Sequence, residues 1–248
     1  MKIIDSHVYV GENLYGLSQD ENDILKSMDE SGIDLSALIT HKPMNYSLPD
    51  GNKNVHEIIS RHPDRFYGIA RVDPWQKEKA LDELKRCREE YGFLGFVMHP
   101  WEEVFHVANP IVNPLVEYAI ENGMFIMIEA GYPFNSHPFD VAELANTYKE
   151  GTFIATHGLQ LDSAAYALTD AEFVMKECPN IIMETSGMYA PAVMERIIHE
   201  LGTHRVIFGS HSPWLHQRFE TDRIRMLRVT EEEREMVFSG NFLKLKEK

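Results

Sequence analysis

The chain has 248 residues, 44% of them hydrophobic, and 39 acidic against 24 basic side chains give a net charge of -15 with histidine neutral. That length suffices for one sizeable core, and so acidic a balance argues against nucleic acid as a partner. There is no apolar stretch near the roughly 18 residues of a membrane span and no basic region followed by an apolar run at the N-terminus, so a cytoplasmic location is expected, with Cys87 and Cys178 reduced and packed in helices.

In chain order, the first apolar run is IIDSHVYV at 3–10, with Asp5, His7 and Tyr9 at alternate positions. Residues two apart share one side of a strand, so a strand ending here aims His7 and Tyr9 into one space. Residues 20–31 then place Ile24, Leu25 and Met28 on one helical face before Gly32. LSALITHKP ends at His41 and leads into a polar stretch, 41–54, expected as a loop that either covers a mouth, with Asn45 or Tyr46 on substrate, or simply connects. FYGIARVDP reaches Asp73, with Arg71 on the same side, either binding a substrate carboxylate or pairing internally with Asp73 or Asp5.

A charged helix over 76–90 turns Leu81 and Leu84 inward, and FLGFVMHP follows, ending at His99. Pro114 sits in the first turn of the next helix, where its missing N–H costs nothing, and Gly123 closes it. FIMIEAG carries Glu129, FIATHGL carries His157, and IIMETSG carries Thr185, flanked by Glu184 and Ser186 on one shared side. A buried Glu184 needs a partner, expected to be His157 or His211. After a helix at 190–201, Arg205 precedes VIFGSHSP as a structural residue and His211 ends that run; Thr230 with Glu233 forms a capping box for the last helix.

The eight terminal polar residues, His7, His41, Asp73, His99, Glu129, His157, Thr185 and His211, are spaced by 34, 32, 26, 30, 28, 28 and 26 residues, the length of one strand and helix. Eight such units predict a single (β/α)8 barrel over 1–248, with a doubly wound sheet as the alternative; the lack of a glycine-rich loop after the first strand favours the barrel. In a barrel the strand ends form the active site, and here they gather five histidines and a glutamate. Imidazole and carboxylate are natural ligands of zinc and similar ions. The three tryptophans each follow a proline at a strand end; Trp101 and Trp214 are expected to wall an apolar or planar substrate, and Trp75 to pack its loop onto the rim. His106 and His137, on neighbouring loops, carry little weight.

The ID-x-H start, GFVMHPW, NPIVNPLVEYAIENGMFIMIEAGYP, FIATHGL, VIFGSHSP and SGNFLKL, in this order from residue 3 to about 245, resemble the second large group of the amidohydrolase-related superfamily. The resemblance implies a (β/α)8 scaffold of metal-dependent hydrolases, decarboxylases and hydratases acting on small carboxylated or aromatic compounds, with dimers common. It also marks departures. The family pattern has His-x-His on the first strand, His on the fifth and Asp on the eighth, where this chain has His7 then Tyr9, Glu129 and His211; Val97 stands where many members have Lys, while His99 and His157 match.

The replacements are themselves ligand types. His7, Glu129 and His211, with His157 as fourth ligand or as acid/base, can rebuild a site for a divalent ion, zinc first and manganese as the alternative, with Tyr9 as hydrogen-bond donor to an oxyanion and His157 or His211 moving protons. His99, His41, Arg71, Trp101 and Trp214 are the expected substrate contacts. The expected activity is metal-assisted hydrolysis, or decarboxylation, of a small organic acid, lactone or amide. A metal-free hydrolase, such as the resemblance includes among lactone hydrolases, and a non-catalytic small-molecule binding barrel remain as alternatives, and a homodimer is compatible with either.

Overall fold

A computed structural model of the chain describes residues 1–161 and 165–247. Among the described residues nine strands form one sheet, in the order β2 (Ser18–Gln19), β1 (Ile4–Glu12), β3 (Leu35–Thr40), β4 (Phe66–Arg71), β5 (Gly95–Met98), β6 (Phe125–Ile128), β7 (Phe153–Ala155), β8 (Ile181–Glu184) and β9 (Val206–Ile207). Strands β1 (Ile4–Glu12) and β3 (Leu35–Thr40) through β9 (Val206–Ile207) are parallel neighbours, whereas β2 (Ser18–Gln19) runs antiparallel to the end of β1. The sheet closes on itself: Ser6 N–H donates to the Phe208 carbonyl at 3.1 Å, His211 N–H to that of His7 at 2.8 Å, and Tyr9 N–H to that of Ser212 at 2.8 Å. Closure brings the last strand run against the first, so His211 and His7 become neighbours although some two hundred residues separate them.

Alternation along the strands explains the two apolar layers. Leu35, Ala37 and Ile39 of β3, Ile69 of β4 (Phe66–Arg71), Val97 of β5 (Gly95–Met98), Met127 of β6 (Phe125–Ile128) and Ile154 of β7 (Phe153–Ala155) fill the barrel interior, with Phe242 and Leu245 of the C-terminal segment completing that cluster. Phe66, Phe96, Met98, Ile126 and Phe153 face outward and meet the helices. Both faces being covered, the strands read as near-continuous apolar runs rather than as alternating ones.

The helices follow their sequence signals. Helix α1 (Glu21–Ser31) begins at the Asp20 cap and ends at Gly32, whose φ of 72° suits glycine. Helix α3 (Glu78–Glu89) is shorter than the expected 76–90 because Pro74–Gln76 form a separate tight turn capped by Asp73. Helix α4 (Asn113–Glu121) has Pro114 in its first turn, α7 (Pro191–Leu201) stops at Gly202, and Thr230 and Glu233 form the capping box of α9 (Glu231–Glu235).

Two expectations are corrected. His7 does not end its strand: β1 runs on to Glu12 and turns back through β2, carrying a register irregularity between Asp5 and Val8. The polar 41–54 stretch is a loop only in its first part, because α2 (Leu48–Arg61) starts at Leu48 and Pro49, and Leu48, Val55 and Ile58 supply the buried face that holds it down. Among the described residues no helix is long and apolar enough to cross a membrane.

Candidate active site

His7 and Tyr9 do share a side, and both reach one carboxylate. His7 Nε2–H donates to Glu129 Oε1 at 2.8 Å, and the Tyr9 hydroxyl donates to the same oxygen at 2.5 Å. The other oxygen, Oε2, lies 3.0 Å from His157 Nε2 and accepts from Thr156 Oγ1 at 3.1 Å. Glu129 is thus the centre of a fully buried polar cluster beneath the barrel mouth. Burial would raise its carboxyl, but His7, His157 and His211 around it hold it well below the usual carboxylate range. Burial likewise opposes a charge on His7, yet Glu129 and Glu184 raise it to about 10.

His211 completes the group. Its ring stacks on that of His7 with centroids 4.7 Å apart and meets the His157 ring edge-on at 4.6 Å. Burial, then the neighbouring His157, push it well below the usual histidine range, so its imidazole is neutral and has a lone pair to offer. One ligand atom each from His7, Glu129 and His211 lie within 4.8 Å of one another. His157 stands on the opposite carboxylate oxygen, outside that group of three. Two imidazoles and one carboxylate fit a divalent ion chemically and leave coordination positions open.

The backbone at this face is itself unusual. His157 and His211 both have left-handed conformations, with φ of 55° and 57°, which cost about 1 to 2 kcal/mol for a non-glycine residue. Such conformations concentrate at functional sites, where the surrounding structure enforces them.

Above the cluster is a cavity of about 340 Å³ lined by His99, Trp101, Tyr132, His157, His211 and Trp214, with Glu129 at its base. Trp101 lies parallel to Tyr132, with centroids 5.6 Å apart and planes 9° apart. Tyr15, from the turn between β1 and β2, packs on Trp101 at 5.6 Å and edge-on against Trp214 at 5.5 Å, so three exposed rings roof the entrance. Tyr15 and Tyr132 were not singled out from the sequence; Tyr132 stood in plain view three residues after Glu129, but Tyr15 depends on a hairpin that the sequence did not announce.

Other expected contacts lie deeper. His41 is buried, its ring stacked on Tyr9 at 4.9 Å and its Nε2 without a hydrogen-bond partner among the described residues. His99 Nδ1 accepts the Glu102 N–H at 3.3 Å, leaving its hydrogen on Nε2. Arg71 is 1% exposed and its guanidinium is held by Glu102 at 2.5 Å and Glu103 at 2.7 Å. The ion-pair partners are therefore these two residues of the loop after β5, not Asp73 or Asp5. Arg205 caps the carbonyls of Met175, Cys178 and Ile181, in keeping with a structural role. Trp75 donates its indole N–H to the Glu103 carbonyl at 3.0 Å, fastening its loop to the rim. His106 and His137 sit beside Asp140 and Asp170 respectively, at 3.3 Å each. Glu184 is buried as alternation required, and of the two expected partners His157 reaches it, through its backbone N–H, while the side chains that meet it are those of His7 and Ser186; His211 does not.

Burial, reinforced by Arg71, holds His41 down at about 3 and His99 at about 4. Both pKa values lie below the unfolded value of about 6.5, so the unfolded chain binds these protons first. The stability that comes from keeping them neutral is therefore present above pH 6.5 and is lost as pH falls towards 4 and 3. His41→Phe, which keeps the ring stack, is expected to lose about 1 to 2 kcal/mol less stability than the parent between pH 7 and pH 5, as read from urea midpoints.

Eight parallel strands close into a barrel at whose C-terminal strand ends imidazole and carboxylate side chains converge, an arrangement able to hold a divalent ion. The amidohydrolase family profile matches residues 26–245, and the chain belongs to that family. The match starts after β1, the strand that carries His7 and Tyr9. Among curated proteins the chain is similar to gamma-resorcylate decarboxylase of Rhizobium radiobacter, 27% identical over 197 residues, 71% of this chain and 58% of that protein. The chain thus matches little more than half the length of that relative. In fold it is similar to 5-carboxyvanillate decarboxylase from Sphingomonas paucimobilis, with a TM-score of 0.80 and 15% identity over 99% of each chain. It is also similar to dihydroxybenzoic acid decarboxylase from Polaromonas sp. JS666, which has bound manganese and the inhibitor 2-nitroresorcinol, with a TM-score of 0.80 and 16% identity over 99% and 97% of the chains.

Proposed function

We propose that this chain is a metal-dependent decarboxylase of a small aromatic acid. The observation that carries the reading is the two-imidazole, one-carboxylate set of His7, Glu129 and His211 at the base of a cavity walled by Trp101, Tyr132 and Trp214. The decarboxylases to which the chain is similar in sequence and fold support this choice over hydrolysis.

His7, Glu129 and His211 would hold the ion. When bound, a divalent metal neutralises and orients the anionic oxygens of an acid substrate. Zinc matches the donor set, and manganese is the ion of the Polaromonas relative.

The indoles and Tyr132 receive the flat ring and exclude water from it. His99, neutral and with its hydrogen on Nε2, donates to a polar substituent. His157 is held between the Ser186 carbonyl at Nδ1 (3.2 Å) and Glu129 at Nε2 (3.0 Å), which fixes its ring beside the cavity. It gives a proton to the ring carbon bearing the carboxylate. The bond to the carboxyl carbon then breaks, its electron pair returns to the ring, and carbon dioxide leaves; the net change is aryl carboxylate plus one proton to arene plus carbon dioxide. Tyr9 holds Glu129 in place through its hydroxyl. The two free, buried cysteines support a reducing cytoplasmic setting.

The test is a panel of hydroxybenzoates, with lactones and amides alongside, incubated with manganese- or zinc-loaded protein while carbon dioxide release and product are followed. Carbon dioxide from a hydroxybenzoate bears the proposal out; hydrolysis of a lactone or amide without carbon dioxide overturns it. On the substrate so found, Trp101→Ala is expected to raise KM about tenfold with a smaller change in kcat, because the stacking surface binds ground and transition states alike.

A further inference from the structure

Glu184 is buried at the end of β8 (Ile181–Glu184), where nothing in the proposed reaction uses it. Four donors nevertheless converge on its carboxylate. Oε1 accepts from Ser186 N–H at 2.6 Å; Oε2 accepts from Ser186 Oγ at 2.8 Å, from His157 N–H at 3.2 Å and from His7 Nδ1–H at 3.3 Å. The Ser186 hydroxyl, its hydrogen committed to Glu184, turns a lone pair to His157 Nδ1 at 2.9 Å. Two rings are therefore anchored from one carboxylate, His7 directly and His157 through its backbone N–H and the serine. Both present Nε2 to Glu129, from opposite oxygens.

The space for this carboxylate is reserved. A Cβ at Gly209, on the neighbouring run after β9, would stand 2.4 Å from Glu184 Oε1. At 209 glycine leaves room for a carboxylate that donors saturate.

We propose that Glu184 is a positioning residue that sets the two halves of the site together: it directs the Nε2 of His7 to the metal position and holds His157 as proton donor. The inference rests on the metal reading for its first half only. Its mechanism is geometric. A histidine ligand whose far N–H is fixed by a carboxylate keeps the ring orientation and the free lone pair that ligation needs. Glutamine at 184 keeps the volume but brings an NH2 group into a site where every neighbour donates, so His7 would turn an Nδ1 lone pair towards that group and keep its one hydrogen on Nε2, the wrong tautomer for a ligand, whereas in the parent the Nδ1 hydrogen stays on Glu184 when Nε2 gives up its own to an ion.

The experiment compares the full-length parent with Glu184→Gln and Ser186→Ala. Manganese affinity is read from free manganese by electron paramagnetic resonance, and the ring states from 15N spectra of histidine-labelled, metal-free protein. Glu184→Gln is expected to weaken manganese binding about 10- to 100-fold and to shift the ring nitrogens of both His7 and His157. Ser186→Ala, which leaves the contact between Glu184 and His7, is expected to shift His157 alone and to keep manganese affinity within about threefold of the parent. Unchanged ring nitrogens in Glu184→Gln, together with an affinity within about twofold of the parent, overturn the inference. A parent that binds no manganese sinks the metal reading separately, and the ring spectra then decide the role of Glu184 on their own.

Discussion

Replacing Glu129 by glutamine is expected to abolish metal binding and to lower turnover by on the order of a thousandfold or more, since a bound ion contributes several kcal/mol of charge stabilisation and each 1.4 kcal/mol is a factor of ten. The same change costs stability. Glu129 accepts from His7, Tyr9 and Thr156 and faces His157, all buried, and an amide cannot accept from all of them. The loss for a broken buried ion pair is about 3 to 5 kcal/mol, so the variant is expected to unfold at clearly lower urea than the parent. Bound metal by elemental analysis and a denaturation curve check both parts, and a variant that kept its metal would show that Glu129 is only a structural hub.

The second large effect is expected at His157. His157→Asn should lower kcat by about 10²- to 10⁴-fold, the range of a positioned acid or base, with bound metal and KM close to the parent's. This follows from placement: the His157 nitrogen sits on the far oxygen of Glu129, outside the group formed by His7, Glu129 and His211. A His157→Asn protein purified without metal would make this residue a fourth ligand instead of the proton donor.

The barrel was legible because strand and helix alternate at nearly constant spacing and both sheet faces are covered, which leaves apolar runs in the sequence. The polar residues ending those runs were legible for the same reason: they fall where burial by helices gives way to the mouth. What did not show is whatever depends on closure and on neighbouring loops. That Glu184 would meet His7 requires β8 and β1 to approach across the barrel. Arg71 suggested Asp73 by sequence proximity, but β4 lies beside β5, and the loop after β5 brings Glu102 and Glu103 to the guanidinium. The hairpin that carries Tyr15 projects beyond the barrel, where no buried face imprints an apolar pattern. Pro49 looked like loop and is the opening of α2, because proline is tolerated in a first turn.

The replacement of the family's first-strand chelate has a structural counterpart. Tyr9 occupies the place of a second imidazole and spends its hydroxyl on Glu129, while His211 comes from the other side of the closure to stack on His7. The imidazole absent at position 9 of β1 is thus available from the run after β9.

That exchange is tested most directly by the metal content of untagged protein purified without added metal, measured beside His7→Ala and His211→Ala. The predicted result is about one equivalent of a divalent ion in the parent, lost in both variants. A parent that holds none, even after incubation with manganese or zinc, or variants that retain it, would contradict a metal centre built on His7, Glu129 and His211.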